Sequence, residues 1–187
     1  MPPKVKITKE DIIDAAIELV RKNGEEALNA RSIATLLNCS TQPIFSNFAT
    51  MEQLYDELIK KLYSYYLDYL DREAKEGKYP TYKAFGMAYI RFAEDEKNFF
   101  RLLFMRNRSG EELTLTPDVE KSIEIIMSAN GISRERATRL HLEMWACVHG
   151  IATMLVTSFV RLEWELISDM LTDVYQGVRD RYLQEKN

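Results

Sequence analysis

Hydrophobic positions follow a helical period on both sides of a short polar break in the first quarter of the chain. Before the break, Ile33, Leu36 and Leu37 fall on one face at helical spacing. After it, Ile44 and Phe48 are four residues apart and can bury against the preceding helix. The pattern predicts an amphipathic helix, a break and a second short helix, the arrangement of a helix-turn-helix DNA reader.

The residues around the break fit this interpretation. Asn29 is the predicted N-cap of the first helix, and Asn38 stands where a chain leaving a helix often adopts left-handed backbone angles. Ser40 is the predicted N-cap of the second helix, and Pro43 then lies in a first turn that has no N–H bond to lose. The side chains predicted to face outward are Thr41, Gln42, Phe45, Ser46 and Asn47.

The remaining pattern predicts an all-α protein with about nine helices. Thr8 with Asp11 resembles a capping box, and the helix it opens ends before Gly24. Thr50 with Gln53 opens a long helix at about 51–76, which at 1.5 Å per residue is about 40 Å long. We expect it to link two domains mechanically. Further helices are predicted at about 81–95, 96–107, 117–130, 133–160 and 164–184.

These elements predict two domains, a helix-turn-helix domain at 1–50 and a C-terminal domain at 51–187 that includes the long helix. The last two helices carry a face of small side chains and an apolar seam, and with their symmetry mates they would form a four-helix bundle in a two-fold dimer. The alternative is that the same faces fill a monomer core. The predicted dimer-interface residues are Thr153, Thr157, Ile167, Leu171, Val174 and Val178.

Composition agrees with a soluble helical protein. The chain has 187 residues, 46% of them hydrophobic, with only 7 Gly and 5 Pro, so it can bury a substantial core. Its start lacks the apolar region of a signal peptide, and its longest apolar stretch, at about 151–160, is shorter than the ~20 residues that span a bilayer. We therefore expect a cytoplasmic protein that does not enter the membrane, with Cys39 and Cys147 as free thiols.

No catalytic signature occurs in the sequence. It lacks a glycine-rich phosphate loop, a zinc signature and a nucleophile elbow, so we expect no enzyme activity and no cofactor. His141, Trp145 and His149 are spaced four residues apart, but two histidines without facing carboxylates or thiols do not predict a metal site.

The segment at about 8–60 resembles the tetracycline-repressor (TetR) family of transcriptional regulators. The resemblance rests on the order of the helices and on matches at Ile33, Ala34, Ser40, Phe48, Glu52 and Leu54. Farther on, Trp145, His149 and Gly150 are similar to a tryptophan-histidine-glycine signature of one group of C-terminal domains in that family.

The resemblance implies an all-helical homodimer whose N-terminal domains bind a double-stranded DNA operator and whose C-terminal domains bind a small-molecule effector. It implies a repressor that leaves the operator when the effector binds. The two recognition helices must lie about 34–36 Å apart, or a multiple of that, so a change in their separation weakens both half-site contacts. By linkage, DNA must weaken effector binding by the same factor.

The chain departs from the family pattern where the DNA backbone is usually held. Phe45, Asn47 and Met51 stand where Tyr, His and Lys are common, no Lys or Arg occurs between Ser32 and Ile59, and the formal charge is −4. Phosphate neutralisation normally dominates affinity, so we expect modest affinity.

Specific roles follow for the predicted DNA-contacting residues. We expect the Gln42 amide to pair with adenine and Thr41 to contact thymine through its methyl group or either base edge through its hydroxyl. Ser46 and Asn47 are expected at phosphates, and Phe45 is included in the same surface; the alternative is that these are solvated turn residues. Basic groups expected at the DNA backbone include Lys4, Lys6 and Arg31.

Aromatic, Met and His residues on the C-terminal helices can line an apolar effector pocket. The predicted pocket residues are Phe85, Tyr89, Phe92, Phe104, Met127, Met144, Trp145 and His149. Such residues at helical spacing also make ordinary core, and a satisfied core histidine is the alternative for His149. An alternative function, motivated by the missing lysines, is a helical small-molecule-binding or adaptor protein with weakened DNA binding.

Overall fold

The computed structural model describes residues 7–107, 109 and 116–184. Lys4 and Lys6, two of the predicted DNA contacts, lie outside the described residues. Within the described ranges the regular structure is helical and no strand occurs, which confirms the predicted fold class. No helix in these ranges combines the length and the apolar character that a membrane crossing needs.

The chain forms two compact units. Unit 1 comprises the described residues up to Tyr66 together with Glu96–Arg106, and unit 2 comprises Leu67–Asp95 and the described residues from Asn107 onwards. The division therefore falls inside the long helix, whereas the sequence predicts a domain boundary between residues 50 and 51.

Unit 1 is built around its first helix. Its elements are α1 (Lys9–Asn23), a 3-10 turn (Glu25–Ala27), α2 (Ala30–Leu36), α3 (Gln42–Asn47), the start of α4 (Met51–Lys75), α6 (Lys97–Phe100) and a π-helical segment (Arg101–Met105). α1 packs against α2, α3 and α6. The predicted helix at 96–107 is thus a short α-helix followed by a wider turn.

Local capping explains where the helices of unit 1 begin. Thr8 and Asp11 form the reciprocal capping box before α1, and the Asn29 side chain accepts from Ser32 N–H before α2. The Thr50 hydroxyl accepts from Gln53 N–H at the start of α4. All three predicted starts are confirmed.

The turn between α2 and α3 is partly different from the prediction. Asn38 has the expected left-handed backbone, with φ of 50°. Ser40 is not the cap: Thr41 holds that position with helical backbone angles, and no side chain caps α3. Leu36, predicted on the inward face, is 41% exposed, because Ile33 and Ala34 supply the buried side of α2.

Unit 2 contains the end of α4 and the remaining helices. These are α5 (Thr81–Asp95), α7 (Pro117–Asn130), α8 (Arg134–Val156) and α9 (Trp164–Gln184). α5 packs against α7, α8 and α9, and α8 also packs against α7 and α9. α8 ends at Val156, earlier than the predicted 160, because Ser158 turns into the left-handed region with φ of 56°.

Gly86 on α5 faces two other helices of unit 2 at close range. A Cβ atom added there would lie 3.4 Å from Leu171 Cδ1 of α9 and 3.4 Å from Val148 Cγ2 of α8. Three helices therefore meet at this glycine, and the space beside it admits little more than a methyl group.

Candidate nucleic-acid interface and ligand-binding region

α3 divides into a buried side and an exposed side. Ile44 is 0% exposed and Phe48, which follows the helix, is 2% exposed. Gln42, Phe45 and Ser46 are exposed, and Phe45 is the most apolar of them at 51% exposure. The apolar anchors thus fix α3 in unit 1 and leave its other side accessible.

Two polar side chains of α3 are already used within unit 1. The Ser46 hydroxyl donates to the Gln42 carbonyl at 2.9 Å. The Asn47 amide donates to the carbonyls of Pro43 at 2.8 Å and Ile7 at 3.3 Å. The prediction that Asn47 faces outward is therefore wrong for its amide nitrogen, which ties α3 to the residues before α1.

The basic residue nearest to α3 in the sequence is Arg31. It is exposed in the first turn of α2 and makes no ion pair with a described residue. Lys9 lies over the Phe48 ring, 5.3 Å from its centroid. Lys60 on α4 binds Glu57 at 2.8 Å, and the pair lowers the pKa of Glu57 and raises that of Lys60. Arg31 is thus the basic side chain best available to a phosphate among these three.

One predicted pocket residue belongs to unit 1. Phe104 lies in the π-helical segment, with its ring centroid 5.0 Å from that of Tyr66 and 5.2 Å from that of Phe100. The other predicted pocket residues lie in unit 2. The structure thus assigns Phe104 to an aromatic cluster of unit 1.

The predicted pocket residues of unit 2 differ widely in burial. Phe92 is 0% exposed, and Tyr89 and Met144 are each 5% exposed. Phe85, Met127 and His149 are half-buried, and Phe85 lies against the Lys121 ammonium group at 5.0 Å. Trp145 is 43% exposed.

Two tyrosine–histidine pairs join α5 to α8. The Tyr82 hydroxyl lies 3.0 Å from His141 Nδ1, and the Tyr89 hydroxyl lies 2.9 Å from His149 Nδ1. Burial lowers the pKa of both imidazoles, although the Asp118 carboxylate partly opposes this at His141. Neutral imidazole is therefore favoured at both positions.

His149 is also stacked on its neighbour one turn earlier. The Trp145 and His149 ring centroids are 4.9 Å apart and the ring planes differ by 12°. One turn later, the Thr153 hydroxyl oxygen is buried without a hydrogen-bond partner among the described residues. A partly exposed indole, a neutral imidazole and an unsatisfied hydroxyl thus follow one another along α8.

Sequence reasoning missed a lysine that joins α5 to α9. Lys83 Nζ donates to Ser168 Oγ and to Thr172 Oγ1, both at 2.7 Å. It also lies 5.1 Å from the centroid of the Tyr79 ring. The sequence gives no sign of this pairing, because Lys83 and its hydroxyl partners lie on helices that are far apart in the chain.

The residues predicted at the dimer interface differ in their burial within one protomer. Ile167 is 0% exposed and Leu171 is 2% exposed, so both are core residues of the protomer, packed where α9 meets its neighbours. Val174 and Val178 are half-buried, as is Thr153, and Thr157 is exposed at the end of α8. The large apolar side chains that α8 and α9 expose are Leu142, Trp145 and Leu166.

A family of known proteins matches the C-terminal helices in sequence. Residues 82–174 match the family described as "Tetracyclin repressor-like, C-terminal domain", a segment that begins in α5 and ends in α9. No curated protein matches the chain in sequence.

Solved structures share the fold over nearly the whole chain. A protein with unknown function from Rhodococcus sp. RHA1 has a TM-score of 0.72 at 18% identity, covering 94% of this chain and 97% of that chain. A member of the TetR family from Streptomyces coelicolor A3 has a TM-score of 0.60 at 15% identity, covering 89% and 96%. The multidrug binding protein EbrR, complexed with imidazole, has a TM-score of 0.57 at 16% identity, covering 89% and 88%.

Proposed function

Because the chain belongs to the tetracycline-repressor family, we propose that it is a DNA-binding transcriptional regulator that acts as a homodimer and is released from its operator by a small molecule. The observation that carries the proposal is the division of α3 into buried anchors, Ile44 and Phe48, and an exposed side with Gln42 and Phe45. A short helix held in this way can enter the major groove with its exposed side towards the bases.

Within this proposal, Gln42 binds a base edge and Arg31 binds a phosphate group of the DNA backbone. The Gln42 amide can pair bidentately with adenine N6 and N7, and Arg31 is an exposed guanidinium close in sequence to α3. Thr41 is half-buried beside Gln42 and supplies a second base contact. Since Ser46 and the Asn47 amide are bonded to carbonyls of unit 1, they make a smaller contribution.

The effector site that we propose lies on α8 near Trp145 and His149. An indole stacked on a neutral imidazole offers an apolar face and a polar edge, and the buried Thr153 hydroxyl supplies a further polar group. Such a mixture of aromatic surface with a few fixed polar atoms is typical of sites for small organic molecules. EbrR, which shares the fold, is a multidrug binding protein.

For dimerisation we propose the exposed face of α8 and α9 in place of the buried seam. Leu142 is exposed on α8 and Leu166 on α9. Gly150 and Gly177 have open space where a Cβ would stand, which leaves room for the close approach of another helix.

Selection of bound duplexes from a random pool tests the DNA-binding proposal. We expect an inverted repeat whose half-sites lie one helical turn apart, and we expect Gln42→Ala with Thr41→Ala to remove the preference at the base pairs that these two side chains contact. Gln176→Ala, which changes an exposed glutamine on α9, is the matched control and should leave it unchanged. A pool without enriched sequence at low ionic strength would overturn the proposal.

The adaptor alternative is favoured by one observation, the absence of Lys and Arg between Ser32 and Ile59. The two functions are separated by titrating random duplex DNA at several salt concentrations. Binding that weakens as salt rises supports the regulator, because phosphate contacts release counterions. No binding at any salt concentration supports the adaptor.

A further inference from the structure

Phe45 exposes a phenyl ring on α3, and this ring carries no hydrogen-bonding group. Phe45 is 51% exposed, while the neighbouring apolar side chains Ile44 and Phe48 are almost completely buried. Its ring makes no aromatic or cation–π contact within the described part of the chain. Covering the exposed part of this phenyl group with an apolar partner would be favourable, because it removes apolar surface from water.

The chemistry of the major groove identifies what can cover it. Base edges in that groove present hydrogen-bond donors and acceptors, and the one apolar group among them is the C5-methyl of thymine. Phe45 has no hydroxyl with which to bind a phosphate or a base edge. It therefore gains most from a position where it meets that methyl group.

The geometry of α3 places this contact beside the one made by Gln42. Residues three apart in a helix lie on the same face, and Gln42 is exposed in the first turn with Phe45 three residues later. Ser46, the other exposed residue in this part of the helix, uses its hydroxyl to bind the Gln42 carbonyl. The exposed face of α3 thus offers one amide and one phenyl group.

On this basis we propose that Phe45 is a specificity-determining residue that reads the methyl group of a thymine, so that each half-site requires A·T pairs at the positions facing Gln42 and Phe45. The inference rests on the proposed function, since it concerns the same DNA surface. Tyrosine is common at this position in the family and carries a hydroxyl group. Phe45 lacks that hydroxyl, and the role proposed here uses only its apolar ring.

Uracil substitution tests the inference, because it removes the methyl group and leaves base pairing intact. Each thymine of the selected duplex is replaced in both half-sites, and the dissociation constant is measured by fluorescence anisotropy at fixed salt. For the wild-type protein we expect one position at which uracil weakens binding about fourfold per half-site, the effect of one buried methyl group. At that position, Phe45→Ala should bind the thymine and uracil duplexes equally.

Phe159→Ala is the matched control, because it removes an exposed phenyl group that lies outside α3 and should keep the sensitivity to uracil. Circular dichroism and thermal unfolding establish that Phe45→Ala is folded; Phe45→Gln replaces it if it is not.

Wild-type protein that tolerates uracil at every position, or Phe45→Ala that keeps the wild-type loss of affinity at each uracil position, would overturn this inference and leave the proposed function intact. A pool that yields no duplex would overturn both.

Discussion

Arg21 of α1 fixes α6 to unit 1 through a partly buried ion pair, and its removal gives a measurable loss of stability. Its Nε and Nη2 atoms lie 3.1 and 3.0 Å from the two carboxylate oxygens of Glu96. The Glu96 side chain is 14% exposed and also accepts from the Tyr65 hydroxyl at 2.9 Å. The guanidinium group lies 4.7 Å from the centroid of the Phe99 ring.

The change Arg21→Met keeps most of the aliphatic side chain and removes both charge-assisted hydrogen bonds. Glu96 is then left as a largely buried carboxylate with the Tyr65 hydroxyl as its remaining donor in this cluster. Because the Arg21 side chain is 48% exposed, solvent screens part of the attraction. We therefore expect a loss of about 1–3 kcal/mol in the free energy of unfolding.

Urea unfolding at neutral pH measures this loss, and a double-mutant cycle with Glu96→Gln isolates the interaction between the two side chains. The matched control is Lys22→Met on the same helix, whose pair with Glu18 has side chains 66% and 47% exposed. The control should cost less than about 0.5 kcal/mol. Equal losses for Arg21→Met and Lys22→Met, or additive losses in the cycle, would refute the reasoning.

Three further changes test the packing of unit 2. Gly86→Ala should stabilise the chain by up to about 1 kcal/mol because alanine has the higher helix propensity and its Cβ would make contacts at 3.4 Å. Gly86→Leu should destabilise the chain by about 1–3 kcal/mol because it overpacks the same space. Thermal unfolding distinguishes the two variants, and a Gly86→Leu variant as stable as the wild type would contradict the close packing of the helices. Leu171→Ala should cost about 2–5 kcal/mol in urea unfolding because Leu171 is core, and a loss confined to dimerisation would show that it is an interface residue. Burial lowers the pKa of His141 and His149 from the ordinary 6.5, so the unfolded chain takes up protons first and stability should fall as pH drops below about 6.5. His141→Phe should reduce that fall, and an identical pH profile would exclude His141 as a cause.

The sequence predicted local features well because their causes are local. The Thr8–Asp11 capping box needs residues three apart, and Asn38 takes left-handed angles because its own side chain tolerates them. The anchors Ile44 and Phe48 follow from spacing alone, because four residues return the chain to the same face of a helix.

Features that depend on two distant helices were not predictable in the same way. The seam on α9 correctly indicated that Ile167 and Leu171 are buried, but periodicity does not say whether the neighbour belongs to the same protomer. The pairing of Tyr89 with His149 and the bonds from Lys83 to α9 depend on the rotation of each helix about its axis. The inward turn of the Asn47 amide depends likewise on Ile7, forty residues away.

The scarcity of positive charge around α3 bears on how such a protein would distinguish its operator. Non-specific DNA binding is almost entirely electrostatic, so removing phosphate contacts weakens it more than it weakens binding through base edges. Arg31 is exposed, while Lys60 is paired with Glu57. Within the proposed function, discrimination between DNA sequences would therefore depend on the base contacts of Gln42 and Phe45. Because the ratio of specific to non-specific affinity decides occupancy in a genome, a weak binder of this kind can still be a selective one.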